Sequence, residues 1–431
     1  MSVAGMNIWI VNHYGVAPGT GGGTRHFDLA KQLVRQGASV TIFASAYGHQ
    51  NWINHLEGSR NAVREVTYDG VRFVWLRTTA YRRNDWRRIK NMLDYTWRCY
   101  WEGRRRKESP DLIIGSLMHP AAAWIGSRLA AHHNAVFYFE ERDLWPQTLI
   151  DFGKMSPNHP IVKALYWLES HLYRKASRII VLFDKAADYV EKQSGLGSKV
   201  LVLPNGVDME RFALPLAELP SEVERQFEQW QGKFIAIYTG SHGISDGIHH
   251  LLEAAALSKG TDSNIQFVFV GDGPEKEALV KQAEQAGLTN VAFLPLVKKE
   301  AVPTLLARAH VGLIALRDAS VYKWGMSFNK MYDYMASSLP TLLVGKIDDS
   351  VIAKEQIGLV LQDPEELSEA LSKLARQLKD QEEMGRRARD YVEREHDWER
   401  MSYKLSAAIA EDVGRNEKRV SKRNTAASYD V

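Results

Sequence analysis

The sequence predicts an α/β protein of two doubly wound domains. Three observations carry this expectation. Short apolar strands alternate with helical stretches from Asn7 to about Val360, glycines stand at strand-to-helix turns, and 431 residues exceed what one ordinary core accommodates. Alternation of this kind implies parallel sheets covered on both faces, with ligands gathered at the carboxyl ends of the strands.

Composition sets the outer limits. A chain that is 45% hydrophobic and 25% charged, with a net charge of +3, is that of a soluble globular protein. Cys99 is the only cysteine, so no intrachain disulfide forms and a reducing compartment is expected. The apolar run Ile8 to Val11 is too short for a signal-peptide core or a membrane span, and no apolar stretch near 18 residues follows. The expectation is a cytoplasmic protein that meets a membrane only from outside.

Asn7 to Val11, NIWIV, reads as the first strand. A loop holding Gly15, Gly19, Gly21, Gly22 and Gly23 follows. A helical pattern starts at Thr24 and runs through Phe27, Leu29, Leu33 and Val34, and Ser39 to Phe43 restores strand character. Glycines at such a turn let backbone amides approach a ligand; a flexible surface turn is the alternative. Their spacing is not the G-x-G-x-x-G fingerprint, which gives an NAD site little support. Arg25 and His26 border the loop.

Further strands are expected at 72–76, 111–115, 135–139, 178–182 and 199–203. Two segments follow strands and carry chemistry: Ser116-Leu117-Met118-His119-Pro120, and Glu140-Glu141-Arg142-Asp143-Leu144-Trp145-Pro146. Three carboxylates around one arginine are expensive to bury without a role, a surface pair of Arg142 with Glu141 or Asp143 being the ordinary alternative. A carboxylate near His119 at the mouth of the sheet suits orienting an acceptor hydroxyl and taking its proton. Asp143 and His119 are therefore the catalytic candidates, although a lone His is as readily a structural hydrogen-bonder.

Between Tyr81 and Lys107 the chain carries ten Lys and Arg against Asp85, Asp94 and Glu102, with Trp86, Tyr95, Trp97, Tyr100 and Trp101 among them. Basic residues interleaved with interfacial aromatics suit a helix lying on an anionic leaflet. No base-reading motif accompanies them, so no nucleic-acid partner is expected. A solvated helix with its aromatics in the core is the alternative.

The segment VLPNGVD, 202–208, leads into a second series: strand 234–239, helix to Ser258, strand 265–270, helix to Ala286, strand 291–294, helix to Arg308 and strand 311–316. Gly240-Ser241-His242-Gly243 and Gly271-Asp272-Gly273-Pro274 follow the first two of these strands; their small residues leave room for a base or phosphate, or serve as simple turns. Beyond Val360 come charged helices and a last amphipathic helix. The expected domains are 1–205 with a crossover helix 397–413, 206–396, and a disordered tail 414–431.

The remaining stretch, YKWGMSFNKMYDYMASSLP from Tyr322 to Pro340, reads as a loop, a short helix N-capped by Ser327, and a stop. Phe328, Met331 and Met335 share one face; Asn329, Lys330 and Asp333 share another. A helix N-terminus attracts anions, Lys330 strengthens the attraction, and Asp333 can accept hydrogen bonds from a diol. Phosphate near Lys330 and ribose near Asp333 describe a nucleotide diphosphate; an amphipathic core helix with a solvated Lys and Asp is the alternative.

This stretch resembles the signature helix of the retaining family 4 glycosyltransferases of the GT-B fold. Asp333-Tyr334-Met335-Ala336 with Pro340 takes the part of the second of two glutamates, and Gly325 stands where the first would be. The run Ser-x-Asn-Lys-Met-Tyr-Asp-Tyr-Met-Ala, and "RDLWP" at 142–146, are similar to the WbuB-like branch, which adds amino sugars to lipid-linked O-antigen or capsule precursors. The resemblance spans Asn7 to about Ala410. It implies two Rossmann-like domains facing across a cleft, with a C-terminal helix crossing back.

It further implies transfer of an N-acetylated or deoxy hexose from a nucleotide-sugar co-substrate, a UDP-sugar, to a polyprenyl-diphosphate-linked saccharide, with retention. No metal and no resident cofactor are expected. Donor contacts are expected from Gly22, Gly23, Ser241, Gly243, Gly271, Gly273, Ser327, Asn329, Lys330 and Asp333. Acceptor contacts fall to Arg25, Glu141, Arg142 and Trp145, and catalysis to Asp143, His119 and Lys330. The expected location is the cytoplasmic face of the inner membrane, bound through 81–107. Common family members place an Arg and a Lys-Gly after the first strand of the second domain, where this chain has Ser241 and Asp246-Gly247; Lys330 is then the main remaining cation. The alternatives are a GT-B fold UDP-sugar 2-epimerase and a non-catalytic subunit of a glycan-assembly complex.

Overall fold

The structure, a computed structural model, describes residues 2–20, 22–49, 52–81, 85–117, 119–213, 217–243, 246–261, 264–347 and 350–427. Gly21, Arg82, Arg83 and Met118 lie outside the described residues. The chain divides into two compact units, 1–204 with 398–431, and 205–397.

The first unit opens with β1 (Asn7–Val11), α1 (Arg25–Arg35), β2 (Ser39–Ser45), β3 (Val63–Tyr68), β4 (Val71–Leu76), α2 (Trp86–Arg105), β5 (Leu112–Ser116) and α3 (Pro120–His133). It continues through β6 (Val136–Glu141), α4 (Gln147–Asp151), α5 (Pro160–Lys175), β7 (Arg178–Val181), α6 (Ala186–Ser194) and β8 (Val200–Val202). The strands lie in the order β3-β4-β2-β1-β5-β6-β7-β8. β5 and β6 are buried throughout, which is why 112–114 and 136–139 read as apolar runs.

Every pairing is parallel except that of β3 with β4. β3 was not legible as a strand: VREVTY sits at the sheet edge, half exposed, and is tied to β4 by the left-handed pair Asp69 and Gly70. α1 carries the chain from β1 in one direction along the sheet, and α2, α3, α5 and α6 carry it in the other. Right-handed crossovers therefore place these two groups on opposite faces.

The second unit comprises α7 (Met209–Ala213), α8 (Ser221–Gln229), β9 (Phe234–Ser241), α9 (Ile248–Thr261), β10 (Ile265–Asp272), α10 (Lys276–Gln285), β11 (Val291–Leu294) and α11 (Val302–Leu306). It ends with β12 (Val311–Ala315), α12 (Asn329–Ala336), β13 (Thr341–Val344), α13 (Val351–Lys354), β14 (Gly358–Leu361), α14 (Pro364–Arg376) and α15 (Leu378–Glu395). Its sheet, β11-β10-β9-β12-β13-β14, is parallel throughout. The ends of β9 and β10 approach so closely that a Cβ on Gly271, at φ +152°, would stand 1.8 Å from the Gly240 carbonyl oxygen.

The last helix, α16 (Trp398–Ala427), returns to the first unit. Trp398, Met401, Leu405 and Ile409 join Phe27 and Leu33 of α1 in the core on that face of the sheet. The helix was expected to stop near 413; it continues to Ala427, across most of the segment expected to be a disordered tail.

Candidate active site

α12 begins where the loop after β12 turns inward. Met331 and Met335 are buried, and they hold the helix against the sheet as their spacing predicts. The N-cap is Phe328, extended at ψ 133°, and among the described residues no side chain caps the helix. Ser327 was expected in that role. Its hydroxyl instead accepts the Asn205 amide at 2.8 Å and lies 2.9 Å from the Tyr332 hydroxyl, while the Asn205 side-chain amide donates to the Ser327 carbonyl at 2.6 Å. Ser327 is thus committed to the segment that opens the second unit, and the helix starts one residue later than expected.

Lys330 projects from the first turn of α12 toward the turn after β9. Its Nζ donates to the Tyr238 hydroxyl at 2.5 Å and to Asp246 Oδ1 at 3.1 Å, and its side chain is only 13% exposed. Room for it exists because residue 240 is glycine, where a Cβ would meet Lys330 Cε at 3.2 Å. Burial pushes the ammonium below its ordinary range and Asp246 partly restores it. The other oxygen of Asp246 accepts the Gly243 amide at 3.1 Å, so one carboxylate binds the cation and closes the turn. Three residues on in α12, Asp333 Oδ1 accepts from Arg211 at 2.8 Å, while Asn329 is exposed.

The two glycine turns lie together. Ser241 is exposed, and a Cβ on Gly273 would collide with the His242 backbone at 2.5 Å. His242 itself is fully buried between the Tyr238 and Phe293 rings, and burial brings its imidazole down to about 4. Neither of its ring nitrogens has a hydrogen-bond partner among the described residues.

In the first unit, Gly22 and Gly23 are exposed ahead of α1. Arg25, expected to touch the acceptor, is 1% exposed and fully engaged. Its Nε donates to Glu140 Oε1 at 2.9 Å, and its two Nη atoms donate to the carbonyls of Pro204 and Leu203. The guanidinium therefore ties α1 to β6 and to the exit of β8, a structural task that replaces the expected one. His26 Nε2 lies 2.5 Å from the other Glu140 oxygen. Burial raises the Glu140 carboxyl, but His26 and Arg25 outweigh burial and hold it well below the usual carboxylate range.

His119 sits at the start of α3, buried, edge-on to His13 with ring centroids 4.7 Å apart. Its Nε2 has no partner among the described residues, and the same holds for Ser116 Oγ and His13 Nδ1. The tautomer of His13 follows from Asn91. That amide donates to Thr78 Oγ1 and to the Thr79 carbonyl, so its oxygen accepts from His13 Nε2 at 2.7 Å and leaves Nδ1 as an acceptor. Three orphaned polar groups thus gather at the carboxyl ends of β1 and β5, where ligands of such sheets bind. Burial, with Arg88 adding, brings His119 down to about 3. It is neutral at ordinary pH and a weak base, better suited to hydrogen-bonding a hydroxyl than to removing its proton.

Asp143 is exposed in the loop after β6, with Arg142 and Trp145 half-buried beside it. Glu141, expected at the acceptor, turns inward instead. It is 1% exposed, accepts the Tyr173 hydroxyl, and lies beside the buried Glu169, which accepts from Tyr189 at 3.0 Å. Burial and its neighbour Glu169 push the Glu141 carboxyl up, and burial pushes Glu169 up to about 7.

Two domain models match most of the chain. A glycosyl transferase 4-like domain model matches residues 20–206, and a glycosyl transferases group 1 model matches 221–391. The chain belongs to the GT-B glycosyltransferases. It is 28% identical to the probable glycosyltransferase WbjE of Pseudomonas aeruginosa over 47% of this chain, spanning about half (49%) of that relative. It is also 28% identical to the putative colanic acid biosynthesis glycosyl transferase WcaI of Escherichia coli, over 68% of this chain and 73% of the relative. Among solved structures it resembles sucrose-phosphate synthase of Thermosynechococcus elongatus (TM-score 0.72, 15% identity, 95% of this chain and 100% of that one). It also resembles HepE of Anabaena in complex with UDP-glucose (TM-score 0.66, 14% identity, 95% and 100%).

In this transferase, sequence reasoning names Lys330 but misses the groups that define its surroundings: Tyr238, Asp246 as its counter-ion, and Arg211 on Asp333. In the first unit it misses His13 and Asn91. The signal for His13 was available, since it stands two residues past the end of β1.

Proposed function

We propose that the transferase moves a sugar, an N-acetylated or deoxy hexose, from a UDP-sugar to a hydroxyl of a polyprenyl-diphosphate-linked saccharide in cell-surface polysaccharide synthesis. Transfer proceeds with retention and without a metal ion. The bond from the anomeric carbon to the diphosphate oxygen breaks, a bond to the acceptor oxygen forms, and the acceptor proton passes to the departing diphosphate. Negative charge builds on the diphosphate, and a preorganised cation opposes it without reorganising.

The observation that carries this reading is Lys330. It is a largely buried ammonium on the first turn of α12, hydrogen-bonded to the Tyr238 hydroxyl and to Asp246 and lying over the Tyr238 ring at 3.9 Å. A diphosphate offers it stronger partners. Trp324, Met326 and Phe328, all half-buried ahead of α12, shape the sugar pocket, and His119, His13 and Ser116 take the acceptor hydroxyl. The names of WbjE and WcaI, and the UDP-glucose held by HepE, support the reaction class and the donor.

A membrane-borne acceptor calls for a membrane-facing surface, and α2 supports one. Trp86, Ile89, Leu93, Trp97 and Trp101 form a stripe on its solvent side, with Trp86 and Trp97 each 64% exposed. Tyr95 and Cys99 face the core. No helix among the described residues is long and apolar enough to cross a membrane. Calorimetric titration with UDP-, GDP- and dTDP-sugars tests the donor: binding of a UDP-sugar that Lys330→Ala weakens supports the reading, and no binding by any of them overturns it.

A further inference from the structure

We infer that the bilayer-docking surface of the first unit is a platform of three helices, α2, α3 and α5, and not α2 alone. The inference rests on the membrane reading above and extends it to two helices that the sequence pattern did not single out.

The three helices each connect parallel strands and lie side by side on the same face of the sheet, opposite α1. α3 packs directly on α2: a Cβ on Gly103 would meet the Leu129 side chain at 2.7 Å, and the His133 ring lies 3.1 Å from the Gly103 carbonyl. α3 buries Ala122, Ala123, Ile125, Gly126 and Leu129 and leaves Trp124 39% exposed. α5 buries Val162, Leu172 and Tyr173 and leaves Ile161 51% and Trp167 64% exposed. A single exposed ring needs no explanation. Large apolar side chains facing outward from three adjacent helices make a surface.

Charge decides what covers it. α3 contains no carboxylate, and the only one on α5, Glu169, is buried against Tyr189. Arg128, Lys163, Arg174 and Lys175 are all exposed on these helices. On α2, Asp94 is held by Lys90 and Thr79, and Glu102 by Arg106. A second copy docking by the same face would set these cations against one another. An anionic lipid surface instead supplies headgroups for the cations and an interface for the indoles.

The test is partitioning of the full-length protein onto phosphatidylcholine vesicles with and without phosphatidylglycerol. Variants are Trp124→Ser with Trp167→Ser, Arg128→Gln with Lys163→Gln, and Trp97→Ser on α2. All are surface changes, and thermal melting confirms that each variant folds. The platform predicts that each pair lowers the partition coefficient on anionic vesicles by roughly fivefold or more, in addition to the loss from Trp97→Ser. If only Trp97→Ser loses binding, α2 docks alone and the inference is wrong while the membrane reading stands. If the native protein ignores anionic vesicles altogether, the membrane reading fails with it. A solution dimer dispersed by Trp167→Ser would assign the face to a second copy and overturn the inference.

Discussion

Lys330 Nζ stands 3.1 Å from Asp246 Oδ1, while the other oxygen of that carboxylate accepts the Gly243 amide. The carboxylate is a resident counter-ion for the cation that the proposed function sets against the diphosphate. A diphosphate entering the site competes with it. Lys330→Ala should therefore weaken UDP-sugar binding by roughly ten- to a hundredfold, the worth of a charged hydrogen bond. Asp246→Asn should tighten binding of UDP itself severalfold. Calorimetry on both variants checks this pair of opposite signs, and weaker UDP binding by Asp246→Asn would give that carboxylate a direct role with the ligand.

Arg25 and Glu140 form an ion pair that is almost wholly buried, at 1% and 2% exposure. Removing one partner strands the other's charge. Arg25→Met should cost on the order of 3–5 kcal/mol in denaturant unfolding, and the double variant Arg25→Met/Glu140→Leu should recover much of it. Additive losses in the double variant would show that the two side chains act independently.

The Glu141–Glu169 pair gives the first unit a pH signature. Glu169 has its carboxyl raised to about 7, so the folded state holds a proton that the unfolded chain releases at lower pH. Its stabilising effect is full below the unfolded value and is lost as pH rises through 7. Glu169→Gln, permanently neutral, should match the native protein in stability near pH 5 and exceed it by on the order of 2–3 kcal/mol at pH 8. Melting curves across that range measure the difference, and a gap independent of pH contradicts a raised carboxyl at Glu169.

His119, brought down to about 3, should contribute no titration to the pH–rate profile between 5 and 9. His119→Ala should lower kcat/KM for the acceptor by roughly tenfold while leaving the dissociation constant for the donor unchanged. A basic limb near 6.5 that vanishes in this variant would make His119 the proton acceptor after all.

The alternation of strands and helices was legible because buried parallel strands leave unbroken apolar runs: NIWIV and VAFL coincide with β1 and β11. β3 was not legible, because an antiparallel edge strand keeps its polar residues in solvent. At the site, the sequence identifies Lys330 through the helix it opens. The residues that hold it are non-local: Asp246 is 84 positions away, and Arg211 is 122 from Asp333. No periodicity reports such pairings. The carboxylates after β6 show the converse: alternation along the strand sends Glu140 and Glu141 to opposite faces, each toward its own buried partners, and leaves Asp143 alone of the three in solvent.

The most direct test of the account is mass-spectrometric analysis of products after incubation with a UDP-sugar and a synthetic polyprenyl-diphosphate-linked saccharide. The account predicts a lipid product heavier by one sugar residue, formed with stoichiometric UDP and lost in Lys330→Ala. UDP released together with free 2-epimerised sugar, or an unchanged acceptor in the presence of every donor that binds, would contradict it.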